Sequence, residues 1–307
     1  MEYFSISEEI KAALQIHAPI VALESAVITH GLPRPVNLEL AQAMESIIRS
    51  QGGIPSTIAV VNGIIKIGLS PHEMEKLAFE ENIRKISPRD FGIAISKKMN
   101  GGTTVAGTIF AACQVGIRVF ATGGIGGVHR NSNFDISADL AALGHTKMVV
   151  ICSGAKAILD IPATLEVLET YGIPVIGFQT DEFPAFYSSH SGLKVDLRAE
   201  SIADIYSLVK AHWACGNSNS VLVTVPPPKE YEIDQKLIET ALQKALKEAN
   251  RNHIQGAATT PYLLQKMNEL TGGASLKVNL ALLKKNAEIA AKIAVVLCAN
   301  QGTNKSS

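Results

Sequence analysis

The sequence carries no surplus charge of either sign: Lys+Arg and Asp+Glu both number 28, a formal net charge of zero over 307 residues. General nucleic-acid and membrane surfaces need excess basic charge, so neither partner is expected, and any phosphate must be gripped locally. Paired cysteines are missing too. Cys113, Cys152, Cys215 and Cys298 lie far apart with no CxxC, and Cys113 and Cys152 sit in apolar runs, as small core residues of a reducing compartment do. No apolar run reaches the roughly 18 residues of a spanning helix. The opening MEYFSISEEIKAAL has no basic stretch ahead of an apolar one, so no secretory signal is expected. These absences lead to the expectation of a soluble, cytoplasmic globular protein.

Standard nucleotide fingerprints are also absent. The stretch TGGIGGVHR, 122–130, has glycines at 123, 124, 126 and 127, a spacing that is not GxGxxG, and no GK[ST] follows. Glycines this dense suggest backbone N–H groups aimed at an anion, with His129 or Arg130 closing over it. A plain turn between strand and helix is the other reading.

What the chain does have is apolar material, 47% hydrophobic against 18% charged residues, ample for a large core. Short β-branched runs predict strands at Ile20–Leu23, Thr57–Val61, Ile64–Ile67, Val119–Ala121, Met148–Cys152, Val175–Phe178 and Ser220–Val225. Amphipathic patterns predict helices at Asn37–Gln51, Thr104–Val115, Ser137–Leu143, Ala163–Tyr171 and Ala199–Ala214. After the three prolines 226–228 the pattern is helical over Glu232–Ala249, Pro261–Leu270 and Ser275–Leu297. This alternation predicts a three-layer α/β/α fold with a mixed, largely parallel central sheet. Asn62-Gly63 between two apolar runs marks one antiparallel hairpin. No linker or repeat divides the chain, so one domain over 1–307 is expected, with a frayed polar tail at about 300–307.

In an open α/β sheet, ligands bind beyond the carboxyl ends of the strands, and several of those ends carry unusual residues. Glu24 interrupts an apolar stretch after a strand and precedes the turn-rich THGLPRP. It is either a carboxylate taking backbone hydrogen bonds or a desolvated general acid/base. Lys156 follows the Ser153-Gly154 turn among small apolar neighbours, where desolvation would free its amine as a nucleophile toward a carbonyl-type carbon. Asp135 and Asp139 are four apart and share one face if the helix begins there; they are helix caps, or one of them holds a hard divalent cation with water filling its other positions.

Taken in order, ALESAVITHGLPRP (22–35), KISPRD (85–90), GGTTVAGT (101–108), ATGGIGGVHR (121–130), FDISADL (134–140), CSGAKAILD (152–160) and TGGASLKVN (271–279) resemble the pseudouridine-5′-phosphate glycosidases, the indigoidine synthase A-like family, from about Pro19 to Val296. The resemblance implies reversible cleavage of the C–C glycosidic bond of pseudouridine 5′-phosphate with water, giving uracil and ribose 5-phosphate. The usual two-carboxylate device of glycosidases protonates a leaving heteroatom, which uracil C5 does not offer. The sugar must instead be opened, and an amine must form an imine at C1′ as uracil leaves. By motif position the resemblance makes Lys156 the Schiff-base nucleophile, Glu24 the proton donor and acceptor, and Asp135 the ligand of one Mn²⁺ per subunit. Lys85, Val105, Ser137, Ala138 and Asp139 become substrate contacts, Thr122 and His129 lie around phosphate and ribose, and Asn279 lies near uracil or ribose. It further implies a homotrimer. One departure stands out: Ala257 follows Gly256 where the family often has Lys. A Schiff-base aldolase on another sugar phosphate and a non-catalytic sugar-phosphate binder are the alternatives.

Overall fold

The computed structural model describes residues 2–130, 134–252, 254 and 259–300. The Ala257 departure and the polar tail beyond Asn300 lie outside the described residues. The core is a sheet of eleven strands among those described. One half contains β1 (Phe4–Ile6), β2 (Ile20–Glu24), β3 (Ile54–Val61), β4 (Ile64–Ile67), β5 (Arg84–Ile86) and β6 (Gly101–Thr103). The other contains β7 (Val119–Ala121), β9 (Val149–Cys152), β11 (Val175–Phe178), β12 (Leu197–Ala199) and β13 (Val221–Thr224). A separate two-strand ribbon pairs β8 (Val128–His129) with β10 (Leu159–Asp160) antiparallel.

The order β1-β4-β3-β2-β7-β9-β13-β11-β12 is parallel except at the β3–β4 hairpin, and β6 adds antiparallel to β3 with β5 beside it. The hairpin turns where the sequence places it: Asn62 and Gly63 both have positive φ, 50° and 75°, the left-handed pair that matches strand twist. All four residues of β7's neighbour β9 are wholly buried, as strands covered on both faces must be.

Helices α1 (Glu8–Gln15), α2 (Val36–Ser50), α3 (Pro71–Phe79), α4 (Phe91–Ser96), α5 (Val105–Gln114) and α6 (Ala138–Gly144) are followed by α7 (Ile161–Thr170), α8 (Ile202–Ala214), α9 (Gln235–Arg251), α10 (Thr259–Leu270) and α11 (Ala274–Ala299). They cover both faces of the sheet; α2 and α8 pack on α11, while α5 packs on α6. Six short strands, β1, β5, β6, β8, β10 and β12, and three helices, α1, α3 and α4, exceed the sequence expectation. Strands β1, β5 and β6 are three residues long, too short to show a period, and β6 is glycine-rich because its neighbours leave no room: a Cβ on Gly101 would lie 2.3 Å from the Ile86 side chain. Helix α3 does carry its own start signal, a capping box between Ser70 and Glu73.

Chain direction reverses sideways at β2: the next strand, β3, lies on one side and the later β7 on the other. At such a switch point open α/β sheets bind their ligands, here at the carboxyl ends of β2 and β7, with β9 next in line. Glu24 ends β2, Thr122 follows β7 and Ser153 follows β9. Among the described residues no helix is long and apolar enough to cross a membrane.

Candidate active site

Glu24 is buried, and its Oε1 accepts a short hydrogen bond from the Thr122 hydroxyl. Burial pushes its carboxyl above the ordinary carboxylate value, against the pull of Lys156, the Thr122 hydroxyl and Lys85, while nearby Asp139 pushes the same way as burial. Lys85 stands on β5 opposite Gly102 and is half-buried. Burial lowers its pKa, and so does the positive charge of Lys156, while Asp139 and Glu24 counteract both. Two carboxylates and two lysines from four separate segments therefore converge at the switch point, close enough for their charges to act on the protonation of Glu24 and Lys85. Opposed titratable groups in one place are the arrangement acid/base chemistry requires.

Lys156 reaches this place by a tight path. Its turn begins at Ser153, whose N–H donates to Gly123 O at 2.8 Å, and passes Gly154 at φ +84°. A Cβ on Gly154 would sit 2.1 Å from Pro184 O, so glycine is required on both counts. The Lys156 N–H then donates to Ile125 O at 3.1 Å, pinning the lysine beside the glycine loop.

That loop is not an open nest. Asp139 Oδ2 accepts from Gly126 N–H at 2.8 Å, Gly154 O from Ile125 N–H at 3.1 Å, and Thr164 Oγ1 from Val128 N–H at 3.0 Å. The glycines are there for close approach. A Cβ on Gly126 would meet Ser137 Oγ at 2.2 Å, on Gly127 Thr164 Oγ1 at 2.3 Å, and on Gly124 the Phe186 ring at 2.7 Å. Arg130 turns away, donating to Leu159 O and to Glu239 on α9. It borders a separate cavity of about 490 Å³ that Glu24, Lys85 and Lys156 do not line.

Asp139 is buried and fully engaged, with Oδ1 accepting from Ala106 N–H at 2.9 Å and Oδ2 from Gly126. It thereby joins the start of α5, where Val105 lies, to the loop. Val105 N–H is among the donors that a helix start leaves without an intrahelical partner. Ser137 caps α6, and Ala138 beside it is exposed. Asp135 is the free carboxylate of the pair, its side chain 55% exposed, with His129 Nδ1 at 4.0 Å. Its exposure, and the absence among the described residues of backbone donors to its side chain, suit a hard divalent cation whose remaining positions are filled by water. Among the described residues no three or more His, Cys, Asp or Glu side chains converge, so a fully protein-ligated metal does not fit.

Asn279 lies on α11, nearly buried, two helical turns before Asn286 on the same face. Asn286, Ser25 and His30 escape a sequence reading. Asn286 is buried and bonds Thr122 O and Ser153 Oγ; Ser25 donates to Ile58 O and accepts from Thr103 N–H, locking the end of β2. His30 sits in a π-turn over Val27–Gly31, its ring nitrogens on Thr29 Oγ1 and Ile83 O; burial lowers its pKa, with Lys85 adding to the effect. Only the THG run hinted at it.

Fold and site together define a sheet-end enzyme site with a buried acid and two lysines, and comparison with known proteins gives it a family. The model of the indigoidine synthase A like proteins matches residues 9–296, and the chain belongs to that family. It is 50% identical to a pseudouridine-5′-phosphate glycosidase of Caldanaerobacter subterraneus subsp. tengcongensis, covering 96% of this chain and 97% of that one. A protein of the same name from Geobacillus kaustophilus is 48% identical over 95% of this chain and 98% of its own. The prealnumycin C-glycosynthase, crystallised in complex with ribulose 5-phosphate, superposes with a TM-score of 0.91 at 37% identity, over 99% of each chain.

Proposed function

We propose that this chain is a pseudouridine-5′-phosphate glycosidase, cleaving the C1′–C5 bond with water to give uracil and ribose 5-phosphate, reversibly. The observation that carries the reading is the convergence of a buried Glu24, hydrogen-bonded to Thr122, with Lys156 and Lys85 at one end of the sheet. The C-glycosidase relatives and the sugar-phosphate complex of the structural neighbour support the substrate class.

In this reading Glu24, protonated because it is buried, gives its proton to the ring oxygen and opens the sugar. The Lys156 amine bonds to C1′ and passes one of its protons to the Glu24 carboxylate. The C1′–C5 bond then breaks, its electron pair taking that proton from Glu24 at uracil C5, and a protonated imine is left between Lys156 and ribose. Water hydrolyses the imine, which restores the free amine and returns a proton to Glu24. Lys85 and the Val105 N–H supply charge and a donor for the phosphate end, and Thr122 keeps Glu24 aimed. Ser137, Ala138, Asp139, His129 and Asn279 border the sugar and base. Asp135 would hold one Mn²⁺, which supplies positive charge beside the anionic substrate. The resemblance to the family also supports a homotrimer in the cytoplasm, and the exposed Phe134 and Ile136 beside Asp135 are apolar surface that a subunit contact would cover.

The test is incubation with pseudouridine 5′-phosphate and Mn²⁺, following uracil by chromatography; no uracil at high enzyme concentration would sink the proposal. Borohydride with ribose 5-phosphate is expected to trap an adduct on Lys156 by mass spectrometry, and Lys156→Ala to abolish both adduct and turnover. An adduct on Lys85 instead would reverse the roles of the two lysines. Chelation is expected to stop uracil release and added Mn²⁺ to restore it.

A further inference from the structure

Helix α11 is apolar where it meets the sheet, with Leu282, Leu283, Ile289, Ala290 and Ile293 all buried. In the middle of that face stands Asn286, a primary amide with no exposed surface. A buried amide is costly unless its hydrogen bonds are made, and an aliphatic residue would be cheaper for packing alone. Both of its bonds go to one place. One Nδ2 hydrogen goes to the Thr122 carbonyl at 2.8 Å, and the other to Ser153 Oγ at 3.2 Å, with Oδ1 3.4 Å from the same hydroxyl. Thr122 and Ser153 are each the first residue beyond their strands, β7 and β9. The hydroxyl of Thr122 holds Glu24, and Ser153 starts the turn that delivers Lys156.

We infer that Asn286 is a positioning residue for the reaction, a buried amide that helps set the separation of the Glu24 and Lys156 reactive groups by tying the residue that holds Glu24, Thr122 at the end of β7, to the start of the Lys156 turn, Ser153 at the end of β9. It touches neither substrate nor the reacting atoms. The inference rests on the glycosidase reading, since it is that reaction which needs an acid and an amine at a fixed spacing. A misplacement on the scale of 1 Å at a reacting centre costs roughly 100-fold in rate.

Asn286→Ala and the near-isosteric Asn286→Asp, which lacks both N–H donors, are to be compared with the wild type in uracil release across pH and in borohydride trapping of ribose 5-phosphate on Lys156. Both variants are expected to lower kcat by roughly 10- to 100-fold with KM changed by less than about 3-fold. Asn286→Ala, which adds no charge, should also move the Glu24 limb of the pH profile upward, because a slackened Thr122 hydroxyl favours the carboxylate less. Ser153→Ala, which cuts only the lysine side, should slow trapping and leave that limb in place. A purely structural amide would lower the melting temperature and the amount of active enzyme without moving the limb. Folded Asn286 variants with the wild-type limb and kcat within about 2-fold would overturn the inference. If neither folds, wild-type trapping in Ser153→Ala overturns it. Wild-type protein that releases no uracil overturns the glycosidase reading first, and that outcome is separate from the others.

Discussion

At the scale of single residues, the site is built from groups held away from their preferred ionisation. Glu24 has an ordinary pKa of 4.5, raised in the fold by burial. The fold therefore favours its protonated form; that contribution is whole below 4.5 and is lost as pH rises through the folded value. Glu24→Gln is expected to raise the melting temperature at pH 7, the gain shrinking as the pH is lowered toward 4.5, while uracil release drops by about 100- to 10,000-fold. An unchanged melting temperature at both pH values would mean that Glu24 is not desolvated. Lys85 works in the opposite sense, its charge disfavoured by burial and by Lys156. Lys85→Met is expected to raise KM for the phosphate ester by roughly 10-fold or more, at the cost of about 1.5–3 kcal/mol for a charged hydrogen bond, with a smaller effect on kcat. Initial-rate kinetics over a range of substrate concentrations checks this.

Between elements, the glycine loop shows how a correct motif can be read for an incomplete reason. The density of glycine at 123–127 is visible in the sequence, but glycine serves open amides and close packing equally well. The deciding atoms, Ser137 Oγ, Thr164 Oγ1 and the Phe186 ring, lie elsewhere in the chain. Gly126→Ala is expected to expel the Asp139 carboxylate from its two amides and to cost about 1–3 kcal/mol in urea unfolding. Central strands and long helices were legible because they obey a period: β2, β3, β4, β7, β9, β11 and β13 all fall where β-branched runs predict them. Strand β5, which carries Lys85, was not, since three residues have no period and its pairing with Gly101–Thr103 is a tertiary choice. Lys85 was reached through family motif alone. Asn286 was beyond reach, because nothing local separates a pinning amide from any polar residue on a helix; its partners stand 133 and 164 positions away.

For the whole molecule, α11 is a structural keystone as well as a site element. Val278, Leu282, Leu283, Ile289, Ile293 and Leu297 are all buried there. At about 1.5–3 kcal/mol each, their burial rivals the roughly 5–15 kcal/mol by which a whole domain is stable. A chain ended at Gly273 is accordingly expected to lose its cooperative thermal transition by circular dichroism, and not merely to lose activity. A sharp transition in that fragment would show that the sheet stands without its last helix.

The position of Asn286 so late in the chain also orders events in time. Synthesis runs from the amino end, so Glu24, Lys85, Thr122 and Lys156 all exist on the nascent chain before α11 does. Strands β7 and β9 pair through their own backbones, and the Ser153 N–H bonds Gly123 O without help from α11, so the Asn286 side chain is the last tie to be added, reaching Thr122 and Ser153 only after every residue it holds has been made.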